Sequence, residues 1–145
     1  VRTLIELRKT HPVFRRSAFF KGGNLQRGIL PDIIWYNAEG TNPDWAKLKR
    51  FFACRMDGNS VHSVAGLTDN DFYLAANMDE MDCVAILPPL PPDKAWRRVI
   101  DTTIFSVEDV CSAGAEEILP SQKRYIVPAH GIVLLLSEDI LLNKD

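Results

Sequence analysis

The chain has 145 residues, of which 46% are hydrophobic and 25% charged, and its formal net charge is −2. These values are typical of a globular domain with one core, and the length is too short for two comfortable domains. The charge balance argues against generic binding to nucleic acid or another polyanion. No signal-peptide pattern is visible, and the longest apolar run, residues 132–136, has the length of a strand and not of a membrane span.

The residue types that commonly bind metals are few and scattered. The three cysteines, Cys54, Cys83 and Cys111, are odd in number, widely spaced and without a CxxC pair, which argues against a disulfide framework or a zinc site. Free thiols fit an intracellular, reducing compartment. The three histidines, His11, His62 and His130, are expected to be structural. No metal ion or other cofactor is predicted.

The first element is a predicted helix over residues 1–10. At 100° per residue, Leu4, Ile5 and Leu7 lie on one apolar arc, with charged residues opposite. Pro12 ends the helix, because the residue before a proline is biased out of the helical region. A helix of this length is marginal by itself, so we expect it to pack on another surface.

After the helix, the pattern changes to short strands separated by turn residues. We predict eight strands, over residues 17–21, 32–37, 51–56, 71–77, 82–87, 95–101, 124–127 and 132–137. The short polar link between the fourth and fifth strands predicts a hairpin.

Four connecting segments also carry predictions. Pro43 is predicted to start a helix that runs to about Lys49. The PPLPP run at 88–92 is predicted to be an extended surface linker, since proline is excluded from sheet interiors. Residues 105–120 are predicted to be a long loop with a helical turn at 107–111. The acidic turn around Asp79, Glu80 and Asp82 is predicted to be solvated, because the ordered oxygen ligands of a calcium site are missing.

This pattern predicts an all-β fold, an antiparallel sandwich or barrel of about eight strands preceded by one short α-helix. A lone N-terminal helix fits such a sheet poorly. A helix that closes a preceding domain, and then leads into a β-domain, fits it well.

Four segments resemble isoamylase-type glycogen and starch debranching enzymes of the α-amylase superfamily. LIELRKTHPVFRRSAFFKGG, residues 4–23, is similar to the junction between the catalytic (β/α)8 barrel and the C-terminal β-sandwich of that family. DIIWYNAEG with the following Asp44-Trp45, KAWRRVIDTT, and YIVPAHGIVLLL resemble later strands of the same sandwich, in the same order. The likeness covers nearly the whole chain.

The resemblance implies two parts and a partner. Residues 1–13 would be the last helix of the catalytic barrel with the junction, and residues 14–145 the C-terminal β-sandwich. The whole protein would cleave α-1,6 branch points in branched α-glucans, in a bacterial cytoplasm or a plastid. Both catalytic carboxyl groups would come from the barrel of the same polypeptide, so this chain is assigned no catalytic residue. Leu4, Ile5, Leu7 and Phe14 would form the domain interface.

Tryptophan rings could stack on sugar faces, since an aromatic ring offers a flat apolar platform. Trp35 and Trp96 lie in the middle of predicted strands, where the structural alternative, a core position, is favoured. Trp45 follows Asn-Pro-Asp in a loop, where a contact with glucan or with the barrel competes with a core role, and Asp44 would be its hydrogen-bonding neighbour. The candidate carbohydrate contacts are therefore Trp45, Asp44 and Trp35.

Two other functions stay open from the sequence. One is a stand-alone carbohydrate-binding sandwich that uses Trp45 and Trp35 as its platform. The other is a protein-interaction sandwich without a glycan ligand. No membrane or nucleic-acid partner is predicted.

Overall fold

In the computed structural model, the described residues are 1–23, 30–47, 50–59, 68–105 and 109–140. They begin with the helix α1 (Arg2–Thr10) and a 3-10 turn (Pro12–Arg15), which together we call the N-terminal segment. Eight strands follow within the described ranges: β1 (Ile33–Tyr36), β2 (Phe51–Met56), β3 (Phe72–Asn77), β4 (Cys83–Ile86), β5 (Lys94–Asp101), β6 (Glu117–Ile118), β7 (Arg124–Val127) and β8 (Ile132–Asp139).

The strands form two antiparallel sheets. The larger sheet has six strands in the order β1-β2-β3-β8-β5-β6, and the smaller one pairs β4 with β7. In the centre of the larger sheet, Tyr73 of β3 lies opposite Arg55 of β2 and Leu135 of β8. The pairing of β5 with β8 shifts register between Arg98 and Ile100. Seven of the eight predicted strands are confirmed with bounds that agree to within two residues.

A first hydrophobic cluster fills the space between the two sheets. Tyr73 and Trp96 from the six-stranded sheet are fully buried here, and they pack with Ala85 and Val127 from the two-stranded sheet. Side chains alternate along a strand, so one face of each sheet supplies this cluster. The architecture is thus the predicted antiparallel sandwich and not a closed barrel.

A second cluster covers the opposite face of the six-stranded sheet. Phe72 and Leu136 are sequence neighbours of residues in the first cluster, and because side chains alternate along a strand they point to the opposite face. The N-terminal segment supplies the cover, with Val13 buried and Leu7 and Phe14 partly buried against it. The six-stranded sheet is therefore the middle layer, with packing on both of its faces.

The strand predicted over residues 17–21 is wrong. This segment is irregular, because its backbone is held by a side chain and not by a neighbouring strand. The N–H groups of Lys21 and Gly22 donate to the Asp32 carboxylate at 3.0 and 2.8 Å, and Arg16 Nη2 donates to the same carboxylate at 2.8 Å. The sequence also gave no signal for β6, a two-residue strand at the edge of the sheet.

The predicted hairpin between β3 and β4 is also wrong, since the two strands belong to different sheets. Residues 78–82 carry the chain from one sheet to the other. Asn77, which is buried, holds this corner: its side-chain amide donates to the carbonyls of Met81, Val127 and Pro128 at 2.9, 3.0 and 3.2 Å. A short polar link is equally compatible with a hairpin and with a crossing between sheets.

Neither predicted helical segment in the loops is present in its described part. Residues 43–47 form a single turn, and residues 48–49 lie outside the described residues. The Asp44 carboxylate accepts from Ala46 N–H at 3.1 Å, an interaction that competes with helix formation. In the predicted turn at 107–111, residues 107–108 lie outside the described residues. Val110 is extended and forms a bridge with Ile100.

The proline run lies outside the strands, as predicted, but the surface position predicted for it is wrong for Pro88, which is buried. The Pro88 carbonyl accepts from Trp96 Nε1 at 2.9 Å, and the Pro89 carbonyl accepts from Arg55 Nη1 at 3.2 Å. Burying these two side chains needs acceptors, and the linker carbonyls supply them. Among the described residues, no helix is long and apolar enough to cross a membrane.

Candidate functional site

The loop of residues 41–47 is fixed at its base by a tight turn after β1. The Asn37 side chain donates to Thr41 Oγ1 and accepts from Thr41 N–H, both at 2.9 Å. Gly40 has a φ of +74°, a conformation that glycine adopts without strain. The acidic-Gly turn and the Asn at the end of β1 thus set the direction in which Asp44 and Trp45 leave the sheet.

Trp45 and Trp35 form an exposed aromatic pair. Their ring centroids lie 5.6 Å apart with an interplanar angle of 75°, an edge-to-face contact, and Phe52 of β2 lies 6.3 Å from Trp35. The side chains of Trp45 and Trp35 are 59% and 39% exposed. The structure therefore brings together two of the three candidate sugar contacts.

The core role favoured for mid-strand tryptophans is confirmed for Trp96 and wrong for Trp35. Trp96 is fully buried in β5, which has neighbours on both sides. Trp35 lies on β1, at the edge of the six-stranded sheet, where its ring meets the aromatic rings of Trp45 and Phe52 and stays partly open to solvent. Both tryptophans lie in the interior of a strand. Their different burial therefore follows from the place of each strand in the sheet.

Asp44, the third candidate, directly precedes Trp45 in the loop and lines a separate space. Its carboxylate lines a cleft of about 400 Å³ and lies 3.5 Å from Lys47 Nζ, in an exposed ion pair. We call this space the cleft. It is lined by Asn37, Ala38, Glu39, Asp44, Lys47, Arg50, Phe51, Asn77, Asp79, Met81, Asp82 and Cys83.

The acidic turn lines part of the cleft, and two of its carboxylates accept hydrogen bonds from backbone N–H groups. The Asp79 carboxylate accepts from Glu80 N–H at 2.7 Å, and the Asp82 carboxylate accepts from Ala129 N–H at 3.0 Å. In the part of the chain that the structure describes, no three carboxylate, histidine or cysteine side chains are grouped closely enough to hold a metal ion.

His11 has a structural position on the N-terminal segment. Its Nδ1 lies 2.7 Å from Asp69 Oδ1, while Asp69 Oδ2 accepts from Val13 N–H at 3.0 Å, and its ring packs edge-on against Phe72. His130 lies in the turn before β8 with a φ of 55°. His62 lies outside the described residues.

The four predicted interface residues divide into two kinds. Leu7 and Phe14 pack on the second cluster, and the Phe14 ring lies 4.6 Å from that of Phe72. Leu4 and Ile5 are 45% and 48% exposed, and α1 has no fully buried side chain. Leu7 and Phe14 thus attach the N-terminal segment to the sheet, while Leu4 and Ile5 leave an apolar face of α1 open to solvent.

A buried ionic network at the end of β2 was not predicted from the sequence. Arg55 Nε donates to Asp71 Oδ2 at 3.0 Å, and Asp71 Oδ1 accepts from Gly58 N–H at 2.9 Å. Burial, followed by the charge of Asp71, raises the pKa of Asp57 above its ordinary value. The available signal was Arg55 itself, a charged residue at a position where alternation calls for a core side chain. The network holds the turn that directly follows β2, at Gly58, on the sheet.

The fold and the candidate site define the class of protein: an antiparallel β-sandwich with an exposed aromatic pair beside a polar cleft. No family model matches the chain. It is 28% identical over 131 residues to "Isoamylase 3, chloroplastic" of Oryza sativa subsp. japonica, which covers 90% of this chain and 14% of the relative. It is 30% identical over 105 residues to "Glycogen operon protein GlgX homolog" of Mycobacterium tuberculosis, covering 66% of this chain and 15% of the relative.

A third relative, "Isoamylase" of Flavobacterium sp, is 25% identical over 142 residues, which covers 93% of this chain and 18% of the relative. The chain is therefore a homologue of isoamylases and GlgX debranching enzymes, as its four motifs suggested. It spans less than a fifth of the length of these relatives.

Proposed function

We propose that the chain is the C-terminal β-sandwich region of a glycoside hydrolase that cleaves α-1,6 branch points in glycogen or starch-type glucans. The similarity to isoamylases and GlgX proteins over 66 to 93% of the chain is the observation that carries this proposal. The enzyme would act inside the cell, in a bacterial cytoplasm or a plastid, and the homology to "chloroplastic" isoamylases and to bacterial GlgX proteins supports that location.

The chain supports catalysis from outside the active site. Glycosidases place two carboxyl groups across the scissile bond, and in (β/α)8 enzymes these lie at the C-terminal ends of barrel strands. In the proposed division, residues 1–13 end the barrel and residues 14–145 form the sandwich. The exposed Leu4 and Ile5 on α1 would pack on the rest of the barrel, and the buried Val13 with the partly buried Phe14 would fix that helix to the sandwich.

The aromatic pair is the proposed point of glucan contact. Its two rings are exposed and meet edge to face, so they present an angled apolar platform, and the acidic residue Asp44 directly precedes Trp45 in the chain. A glucose ring has apolar C–H faces and a hydroxylated edge, which match an aromatic ring and a carboxylate respectively. The same observation supports the alternative of a stand-alone carbohydrate-binding sandwich.

Two experiments test the proposal. The intact gene product should have a mass several times the 16.3 kDa of this chain and should release linear chains from branched glucan. A mass near 16.3 kDa without this activity would leave the stand-alone module.

Affinity electrophoresis in glycogen gels tests the contact site. Trp45→Ala should weaken retention by about five- to thirtyfold, the equivalent of about 1–2 kcal/mol. Phe19→Ala is the matched control, because Phe19 is 95% exposed and is not among the ring contacts described for the pair. Equal retention of Trp45→Ala and wild type would contradict a glucan contact at Trp45.

A further inference from the structure

We propose that the cleft is a second sugar subsite, which binds the hydroxyl groups of a neutral α-glucan segment while a neighbouring glucose ring stacks on the aromatic pair. The inference rests on the proposed function, because it assumes that the ligand of the pair is a glucan. The subsite adds a second set of ligand-binding residues to the aromatic pair, together with a chemical reason why these residues would bind a glucan.

Continuity of the chain links the cleft to the aromatic pair. Asp44 lines the cleft, and the next residue, Trp45, packs on Trp35. Successive Cα atoms lie about 3.8 Å apart, so the two surfaces meet at this peptide. An extended oligosaccharide that contacts one surface can therefore reach the other.

The charges of the cleft are of both signs, with an acidic excess that disfavours an anionic ligand. Four carboxylates and two cationic side chains line it, which leaves an excess of two negative charges: Glu39, Asp44, Asp79 and Asp82 against Lys47 and Arg50. This excess disfavours phosphate and other anions. No close group of three metal ligands exists in the described residues, so the carboxylates are too dispersed to hold a single cation.

Hydroxyl groups satisfy both kinds of side chain in the cleft. Carboxylates only accept hydrogen bonds and lysine or arginine only donate them, whereas a hydroxyl does both. The side chains of Glu39 and Arg50 make no hydrogen bond or ion pair with the described residues. Glu39 can therefore accept hydrogen bonds from a ligand, and Arg50 can donate them. Ala38, Phe51 and Met81 add apolar surface on which C–H groups of a sugar can pack. A volume of about 400 Å³ lies within the range of small-molecule sites.

Calorimetric titration of the full chain with maltoheptaose tests the inference. Glu39→Ala and Arg50→Ala should each raise the Kd about tenfold, the effect expected from losing one hydrogen bond to a charged group. The matched controls Glu6→Ala and Arg124→Ala remove an exposed acid and an exposed base outside the cleft, and they should bind like wild type. Near-UV circular dichroism of all variants checks that the sandwich is intact.

The outcomes separate this inference from the proposed function. If Trp45→Ala loses affinity while Glu39→Ala and Arg50→Ala bind like wild type, the subsite is overturned and the aromatic contact stands. If wild type does not bind maltoheptaose, both the contact and the subsite fail. Titrations with inorganic phosphate and with calcium ions complete the test: saturable binding of either that is lost in Glu39→Ala or Arg50→Ala would overturn the assignment to a neutral glucan.

Discussion

Three buried or nearly buried aspartates hold the irregular parts of this chain on its sheet. The side chain of Asp69 fixes the start of the 3-10 turn through Val13 N–H, and that of Asp71 fixes the turn after β2 through Gly58 N–H. Asp32 fixes the segment that was predicted to be a strand. Each carboxylate accepts from backbone N–H groups that would otherwise lack a partner, and a buried donor without a partner is costly.

Asp32→Asn should destabilise the fold at neutral pH by about 1–3 kcal/mol, because it removes a charged acceptor of several hydrogen bonds. Burial opposes ionisation, but the N–H groups of Lys21 and Gly22 and the Arg16 guanidinium outweigh it, so the pKa of Asp32 lies below its ordinary value of 3.8. Its carboxylate therefore stabilises the fold fully above that value, and the contribution is lost as the pH falls through the lower, folded pKa.

Urea denaturation at several pH values measures the Asp32 effect. The difference between wild type and Asp32→Asn should be constant above about pH 5 and should shrink on further acidification. Asp93→Asn is the control, since Asp93 is exposed and its side chain makes no described contact. A difference that grows as the pH falls would contradict the assigned direction of the pKa shift.

At the scale of elements, α1 is the least supported part of the described structure. The helix was predicted from its apolar arc, and its bounds are confirmed to within a residue. It has no side-chain N-cap and no acidic residue in its first turn, and none of its residues is fully buried. Short helices obtain their stability from tertiary packing, and here Leu7 alone reaches the second cluster.

Hydrogen exchange should show this weakness directly. The amides of α1 should exchange far faster than those of β3 and β8, which lie in the centre of the six-stranded sheet. Ile5→Lys should change the free energy of unfolding by no more than about 0.5 kcal/mol and should remove any concentration-dependent self-association of the chain. Strong protection of α1 in a monomer would contradict an open apolar face.

For the whole molecule, the decisive feature is that both hydrophobic clusters share the six-stranded sheet. Tyr73 belongs to the first cluster and the adjacent Phe72 to the second. Opening one cluster displaces the strands that build the other, so the two cannot unfold separately.

We therefore expect a single cooperative unfolding transition. Tryptophan fluorescence, far-UV circular dichroism and a probe at Cys54, whose thiol is buried, should give coincident urea curves. Burial raises the pKa of Cys54 to about 11, so its reactivity should appear only with global unfolding. Separate midpoints would show that the N-terminal segment or the two-stranded sheet unfolds independently.

The sequence by itself determined the fold class and most of the strands, because alternation and turn residues are local signals. β2 and β7 were predicted with the bounds that the structure shows. The four motifs also indicated the similarity to isoamylases and GlgX proteins that the comparisons found, because a motif depends on residue types in order and not on how the strands are arranged.

Only the tertiary structure decided which strands are neighbours. The order of the strands in turn decided which residues form the candidate site. Trp35 and Trp96 have the same local pattern, yet one lies on an edge strand and the other in the core. The link after β3 crosses between sheets because the Asn77 side chain donates to the Met81 carbonyl within the link and to the Val127 and Pro128 carbonyls some fifty residues away. The aromatic pair and the cleft exist only because the loop of residues 41–47 folds back across β1, and such long-range contacts leave no periodic signal in a sequence.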